Sequence, residues 1–127
     1  MSVSSSGTQA AGDSEIAAIS ADGHVVVFSS EASNLVCAEL ARCGTTACKN
    51  VYARDLKTHT TELVSVSSNG LPANKRSFGR SVSANGRFVA FGSYASNLVA
   101  GDNNKKRDVY VRDRAKQTTT LLSAVCR

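Results

Sequence analysis

The sequence predicts an all-β fold made of two four-stranded antiparallel blades, which are part of a larger β-propeller or assemble into one. The first observation is an internal repeat, because residues 3–36 match residues 66–99 at 17 of 34 positions. The second is a tight-turn signal at the same place in both copies. The third is that neither copy has a helical period of useful length. Short strands that recur about every 60 residues are the pattern of propeller blades.

The repeat continues after a shift of register. Residues 50–65 match residues 108–123 at 8 of 16 positions, at an offset of 58 rather than 63. The first copy therefore carries five extra residues. We divide the chain into a first blade at residues 1–65, with a cysteine-containing loop insertion at 37–49, and a second blade at residues 66–127.

The elements of each copy follow from turn signals and apolar runs. Asp22-Gly23 and Asn85-Gly86 predict type I′ hairpin turns, in which both central residues have positive φ. The strand after each turn is an unbroken apolar run, which indicates burial on both faces. The predicted strands a, b, c and d are about 16–20, 24–29, 51–54 and 61–67 in the first copy, and 79–83, 87–92, 109–112 and 118–125 in the second.

Two blades cannot close a propeller ring. We therefore expect the chain to self-associate until the ring is closed, or to be completed by the remaining blades of a longer chain. Residues 1–63 carry four Lys and Arg against seven Asp and Glu, whereas residues 64–127 carry eleven against three. This asymmetry fits identical chains that meet head to tail, attraction of a polyanion, or a plain solvated surface.

The net charge of +5 and the lack of a long apolar run indicate a folded soluble chain with no membrane segment. The start, Met1-Ser2-Val3-Ser4, does not have the basic and apolar regions of a signal peptide. The sequence therefore leaves two interpretations open, a cytoplasmic protein or an exported one whose leader has been removed.

Three segments resemble a known family: Ser-Ala-Asn-Gly-Arg-Phe-Val-Ala-Phe-Gly-Ser (83–93), Ala-Ser-Asn-Leu-Val-Ala-Gly-Asp-Asn-Asn (95–104) and Asp-Val-Tyr-Val-Arg-Asp (108–113). They look like the TolB-like, WD-like β-propeller repeats of bacterial secreted and periplasmic proteins. The resemblance covers nearly the whole chain. It implies a periplasmic or secreted propeller that serves as a binding or scaffold module.

The resemblance also implies a calcium site, because the loop after Leu-Val in that family carries oxygen ligands at alternating positions. Carried over, the ligands are Asp102, Asn104 and Asp108. Three cations in the same loop, Lys105, Lys106 and Arg107, oppose an occupied site. The alternative is that Asp102 and Asn104 form turns.

Four cysteines indicate a disulfide in an exported chain, or free thiols or a metal in a cytosolic one. Cys37, Cys43 and Cys48 lie in the loop insertion, and Cys126 lies near the C-terminus. We expect Cys48 to pair with Cys37 or Cys43, and the leftover thiol to pair with Cys126 in the same or a neighbouring chain. The spacing does not have the paired arrangement of a zinc site.

The sequence favours binding over catalysis. His24 and His59 occupy the repeat positions of Arg87 and Gln117, which indicates surface residues rather than a hydrolase triad. Asp55 and Asp113 recur beside arginines, which indicates turn and salt-bridge roles. We expect a noncatalytic binding or interaction scaffold with a protein or carbohydrate ligand; the alternative is an oligomeric lectin-like or polyanion-binding propeller.

A polyanion would bind the basic second half, where the candidate residues are Lys75, Arg76, Lys105, Lys106 and Arg107. Few aromatic side chains in that half remain for base stacking, because Phe88, Phe91 and Tyr110 are predicted to be core. Nucleic acid is therefore not the expected ligand.

Overall fold

The computed structural model of the chain describes residues 14–36, 40–43, 46–99 and 107–122. Two four-stranded antiparallel sheets account for most of these residues, and we name them the N-sheet and the C-sheet. The N-sheet has the order β1 (Ser14–Ile19), β2 (Val25–Ser30), β5 (Asn50–Asp55), β6 (Thr60–Leu63). The C-sheet has the order β7 (Ser77–Val82), β8 (Phe88–Ser93), β9 (Asp108–Asp113), β10 (Thr118–Leu121). A short hairpin, β3 (Arg42–Cys43) with β4 (Thr46–Ala47), lies in the loop insertion.

The two sheets repeat each other strand for strand. The bounds of β1 and β7 differ by 63 residues and those of β5 and β9 differ by 58, as the two offsets of the sequence repeat require. Each first strand has a bulge at the same place, between Ile16 and Ala18 and between Gly79 and Ser81. The all-β prediction and the four-stranded antiparallel sheets are confirmed. Among the described residues there is no helix, and neither sheet closes on itself.

The hairpin between the first two strands differs from the predicted type I′ turn. Gly23 and Gly86 have φ of 75° and 79°, but Asp22 and Asn85 are not among the described residues with positive φ. The Gly23 amide donates to the Ser20 carbonyl at 2.9 Å, which is the bond of a type I turn with glycine at its fourth position. The side chain of Asp22 stabilises this turn by accepting from the Ser20 hydroxyl at 2.6 Å. The type I′ prediction is therefore wrong.

The repeated Tyr-x-Arg-Asp segment has structural roles in β5 and β9. The guanidinium of Arg54 donates to Thr61 Oγ1 at 2.9 Å, and that of Arg112 donates to Thr119 Oγ1 at 3.0 Å. In both copies the arginine therefore ties the third strand to the fourth. Burial lowers the pKa of Arg112.

The fourth strand of the N-sheet ends earlier than predicted. β6 ends at Leu63 because the amides of Val64 and Ser65 both donate to the carbonyl of Val51, at 2.7 and 3.3 Å. Two consecutive amides on one carbonyl bend the chain away from the sheet. Val66 then forms an isolated bridge with Pro72 in the segment that leads to the C-sheet.

The two sheets stack face to face around one apolar core. Because side chains alternate along a strand, each sheet has a docked face, which packs on the other sheet, and an outer face. The docked face of the N-sheet carries Val25, Val27, Val51 and Ala53, and that of the C-sheet carries Val89, Phe91 and Tyr110. The boundary at residues 65 and 66 thus separates two repeats that share a core.

Close backbone contacts hold the stack together. A β-carbon added to Gly79 would lie 2.8 Å from Ala17 Cβ, so β7 approaches β1 closely at this residue. The guanidinium of Arg114 crosses from the C-sheet to the carboxylate of Glu62, and it also donates to the Gly86 carbonyl at 2.6 Å. The interface is therefore apolar at its centre and bridged by a charged pair at its edge.

Burial differs between the two copies. Every residue of β2 is buried, as its apolar run predicts. The C-sheet covers its docked face, and on the outer face Phe28 packs with Ala32, Leu35 and Tyr52. The equivalent strand β8 is half-covered, and Phe88 at its start is 41% exposed. No helix in the described part of the chain is long and apolar enough to cross a membrane.

Candidate functional site

A cleft opens where the two sheets meet, at the end that carries the β3–β4 hairpin. It has two adjoining parts of about 190 and about 330 Å³, which share Glu31 and Lys49. The smaller part is lined by the starts and ends of N-sheet strands, and the larger reaches across to the C-sheet. Its remaining lining residues are Ser14, Glu15, Ser29, Cys43, Ala47, Arg76 and Phe78.

One backbone hydrogen bond joins the two sides of this cleft, and a second one braces the C-sheet side. The Ser77 amide at the start of β7 donates to the Lys49 carbonyl of the N-sheet side at 2.7 Å. The Tyr94 amide, just after β8, donates to the Arg76 carbonyl at 3.1 Å. The residues that carry the cleft side chains are thus held by the sheets themselves.

The ion pair of the cleft joins Lys49 to Glu15. Its Nζ–Oε1 distance is 3.2 Å, and the Glu15 side chain is 67% exposed. The same ammonium group lies 5.6 Å from the centre of the Phe78 ring. A second carboxylate, that of half-buried Glu31, lines both parts of the cleft.

Arg76 forms a cation–aromatic cluster on the C-sheet side. Its guanidinium lies 4.6 Å from the centre of the Tyr94 ring and 5.9 Å from that of Phe78. The two rings meet edge to face, with their centres 6.2 Å apart. Such contacts orient the exposed arginine, so that its donors are presented at a defined place.

A disulfide bond closes the rim of the cleft. Cys43 and Cys48 are joined across the β3–β4 hairpin, which is one of the two pairings that the sequence leaves open. The Cys48 amide donates to the Ala41 carbonyl at 2.8 Å. The other two candidates, Cys37 and Cys126, lie outside the described residues.

The Ala-Ser-Asn motif of the second copy supports the C-sheet wall. The Asn97 side chain bonds the opposite segment twice: its Oδ1 accepts from the Asn74 backbone amide at 3.0 Å, and its Nδ2 donates to the Pro72 carbonyl at 2.9 Å. The Ser96 amide donates to Asn74 Oδ1 at 3.0 Å. These bonds position the segment that leads into Arg76.

The calcium hypothesis falls largely outside the described residues. Asp102 and Asn104 are not described, and Asp108 is a buried residue at the start of β9, opposite Ser93. No three His, Cys, Asp or Glu side chains of the described ranges are grouped as metal ligands. The calcium site stays a prediction.

Three of the five basic candidates for polyanion binding are described, and they lie in two segments. Lys75 and Arg76 are exposed in the segment before β7, while Arg107 is exposed just before β9. Lys105 and Lys106 lie outside the described residues. Of the three candidates that the structure describes, Arg76 alone lines the cleft.

The histidines and repeated aspartates lie in turns. His24 is exposed after the first hairpin turn, and His59 is exposed in the β5–β6 turn with a φ of 59°. Asp55 and Asp113 accept amide hydrogens of their own turns, at 2.9–3.2 Å. Two hydrogen bonds from Arg87 lower the pKa of Asp113 from 3.8 to about 2.

Sequence reasoning missed most of the cleft. The sequence does indicate the cleft through a difference between the two copies. Glu15 stands at the repeat position of Phe78, and Glu31 stands at that of Tyr94. Positions where two similar copies exchange a carboxylate for an aromatic ring are not needed for the shared fold. In this chain they line the cleft or contact Arg76 beside it.

A scan against protein-family models found no match, and neither did searches of curated proteins and of solved structures.

Proposed function

We propose that the chain is a noncatalytic binding module made of two β-propeller blades, which acts as an interaction scaffold and takes a neutral polar ligand, an oligosaccharide, in the cleft between its sheets. The observation that carries the proposal is the composition of the cleft. It combines two carboxylates, two cations and an aromatic ring on rigid strand ends.

This composition suits a sugar because hydroxyl groups both donate and accept hydrogen bonds. Glu15 and Glu31 supply acceptors, whereas Lys49 and Arg76 supply donors. The ring of Phe78 supplies an apolar surface for the C–H face of a pyranose. Pockets with a few convergent polar groups and an aromatic wall are typical ligand sites.

The charge of the cleft distinguishes this ligand from a polyanion. Two carboxylates balance two cations, so that the site has no net attraction for a phosphate or sulfate group. A polyanion is the second candidate, and it has its own support outside the cleft. The side chains of Arg80 and Arg107 both lie over Gly92, because a β-carbon there would be within 3.6 Å of each.

The propeller assignment and an exported location complete the proposal. Two repeats that stack face to face through an apolar core are what adjacent blades require, since the faces of each small sheet need neighbours. The sequence resemblance points to periplasmic or secreted proteins. The Cys43–Cys48 bond is in keeping with an oxidising compartment.

The test is a titration of the full chain with a panel of neutral oligosaccharides and with heparin, at about 50 and about 200 mM salt. We expect at least one neutral sugar to bind with an affinity that salt leaves unchanged. Arg76→Ala and Glu31→Gln should abolish this binding. Lys116→Ala, an exposed substitution in the β9–β10 turn, is the matched control and should have no effect.

Other results of this titration would support a different ligand or a different function. Heparin binding that weakens steeply with salt, and that Arg80→Ala reduces but Arg76→Ala does not, would favour the polyanion candidate. Binding of no neutral sugar on the panel would remove the proposed ligand. Turnover of a sugar, lost on substitution of His24 or His59, would show an enzyme instead.

A further inference from the structure

Each sheet has an outer face that exposes apolar side chains. On the N-sheet, Ile16 and Ile19 are 60% and 57% exposed. On the C-sheet, Phe88 and Leu122 are 41% and 57% exposed. The N-sheet residues at the repeat positions of Phe88 and Leu122 are Val25 and Val64, which are buried under the C-sheet at 2% and 0% exposure. The outer face of the C-sheet is thus the same surface that the N-sheet uses to hold its neighbour.

We propose that a second copy of this chain covers that surface. The outer face of the C-sheet in one copy docks on the outer face of the N-sheet in the next, in the same face-to-face order as the two sheets within a chain. The inference rests on the propeller part of the proposed function; it shares Glu15 with the cleft but does not require the cleft to bind a sugar.

The two interfaces exchange large and small side chains at equivalent positions. Within the chain, Gly79 of the C-sheet faces Val27 of the N-sheet, whose Cγ1 would be 3.1 Å from an added β-carbon. Between copies, Ile16 takes the place of Gly79, and Ala90 takes the place of Val27. Gly92 follows on the same face, under the side chains of Arg80 and Arg107, and Arg80 takes the place of Ala17, the nearest neighbour of Gly79. Ile16 therefore meets the small Ala90 and the aliphatic part of Arg80, and the two sheets lie further apart there than they do at Gly79.

Both residues of the ion pair in the internal interface are replaced at the interface between copies. Arg114 pairs with Glu62 across the stacked sheets, and its side chain is only 15% exposed. The equivalent positions at the junction between copies are Leu56 and Thr120, both uncharged. Replacement of one partner alone would leave a charge in the interface without its counter-ion, at a cost in stability. Both of these partners are replaced. Asp55, which lies 3.9 Å from Arg114, corresponds to Asp113 at the junction, and Asp113 keeps Arg87 as its counter-ion, so no unpaired charge arises.

A cation–aromatic contact of the internal interface corresponds to an ion pair between copies. Within the chain, the Lys49 ammonium lies over the Phe78 ring. The same positions between copies are Arg107 and Glu15. An arginine and an exposed carboxylate would therefore meet there, in agreement with the acidic first half and basic second half of the sequence.

The hairpin turn also leaves room for a second copy. Gly86 packs closely on Val25, where an added β-carbon would be 2.3 Å from Val25 Cγ2. Gly23 at the same repeat position has no atom within 4 Å of an added β-carbon. In the proposed contact Gly23 lies on Phe88, a residue larger than valine, which requires this open space.

The proposed contact joins two different faces, so it is a head-to-tail interface that repeats from copy to copy. Such an interface generates a closed ring when the rotation per copy divides a full turn. Propellers carry roughly four to eight blades, so that about two to four copies complete a ring.

The experiment is light scattering on the purified full chain after size-exclusion chromatography. We expect a mass of several copies for the wild type, and a monomer for Ile16→Asp and for Phe88→Asp. Leu122→Asp is a second variant of the same face, in case Phe88→Asp does not fold. Leu71→Asp is the matched control, since Leu71 is 54% exposed in the segment between the sheets and should leave the mass unchanged.

Mixing the variants tests the head-to-tail geometry. Ile16→Asp retains a functional C-sheet face and Phe88→Asp retains a functional N-sheet face, so an equimolar mixture should form a species of two chains. A monomeric wild type, an oligomer that survives Ile16→Asp, or a mixture that stays monomeric would each overturn the proposal. Sugar binding by monomeric Ile16→Asp is measured in parallel, so that failure of the interface and failure of the cleft are distinguished.

Discussion

Addition of one methyl group to Gly86 perturbs the stack of sheets at a single point. A β-carbon at Gly86 would lie 2.3 Å from Val25 Cγ2 and 2.8 Å from Val25 Cβ, which is too close for any real contact. Gly23 is its matched control, because it has the same place in the turn and a φ of 75° against 79°. The two substitutions, Gly86→Ala and Gly23→Ala, share the backbone strain and differ only in the contact.

The expected magnitudes follow from these two contributions. Alanine in the left-handed region costs roughly 1–2 kcal/mol, which applies to both variants. The overlap with Val25 adds roughly 1–3 kcal/mol in Gly86→Ala alone. We therefore expect a loss of about 1–2 kcal/mol for Gly23→Ala and about 2–5 kcal/mol for Gly86→Ala.

The assay is urea unfolding followed by far-ultraviolet circular dichroism, since the chain has no tryptophan. Both variants are made in the Ile16→Asp chain, so that a second copy does not cover Gly23. Equal free energies of unfolding within about 0.5 kcal/mol would refute the stacking of Gly86 on Val25. In the self-associating chain, Gly23→Ala should additionally weaken the oligomer.

Three further predictions concern bonds that the structure places at the edges of the sheets. The hydrogen bonds from Arg87 hold the pKa of Asp113 at about 2, below its ordinary 3.8. Their contribution to the stability of the folded chain is therefore complete above about pH 4 and is lost as the pH falls toward about 2. Asp113→Asn should therefore show a smaller fall in the urea midpoint between about pH 5 and about pH 3 than the wild type, and an equal fall would contradict this role. Arg114→Met should lower the free energy of unfolding by about 2 kcal/mol. A double-mutant cycle with Glu62→Gln should give a coupling energy above about 0.5 kcal/mol. Additive effects of the two substitutions would mean that the two side chains do not interact. The double variant Cys43→Ala, Cys48→Ala removes a disulfide bond between residues five apart, and its free energy of unfolding in urea should fall by about 2 kcal/mol. Unchanged stability would mean that this bond does not constrain the loop in the unfolded chain.

The sequence predicts the strands of this fold because their signals are local. Apolar runs, turn residues and the repeat itself place eight strands within a few residues of their observed bounds. The type I′ prediction failed at Asp22 because its carboxylate accepts a hydrogen bond from Ser20 and so stabilises a different turn. The end of β6 was missed because it depends on the Val51 carbonyl of β5 accepting the amides of both Val64 and Ser65.

The candidate site was less predictable because it depends on how one sheet lies on the other. Glu15, Lys49 and Arg76 are distant in sequence, and none belongs to a motif shared by the two copies. They meet because β7 docks beside β1, and the sequence pattern of one repeat does not indicate how the two sheets dock. The useful signal is the set of positions at which the copies differ, such as Glu31 and Tyr94.

The same comparison of copies carries the interface proposal. Ile16 in place of Gly79 is unexplained by the N-sheet alone, because an exposed isoleucine on an edge strand stabilises nothing there. In the proposed contact its counterpart surface is the outer face of the C-sheet around Ala90 and the Arg80 side chain. Differences between repeats therefore indicate which surfaces are internal and which are left for a partner.

The stacking of the C-sheet on the N-sheet underlies both the cleft and the proposed contact between copies. Nuclear Overhauser spectroscopy on the methyl-labelled Ile16→Asp chain measures it most directly. We predict cross-peaks from the methyl groups of Val25 to the α-protons of Gly86, and from those of Val27 to the α-protons of Gly79. Valine methyl groups of the N-sheet that show no cross-peak to any C-sheet proton would contradict the stacked arrangement, and with it both proposals.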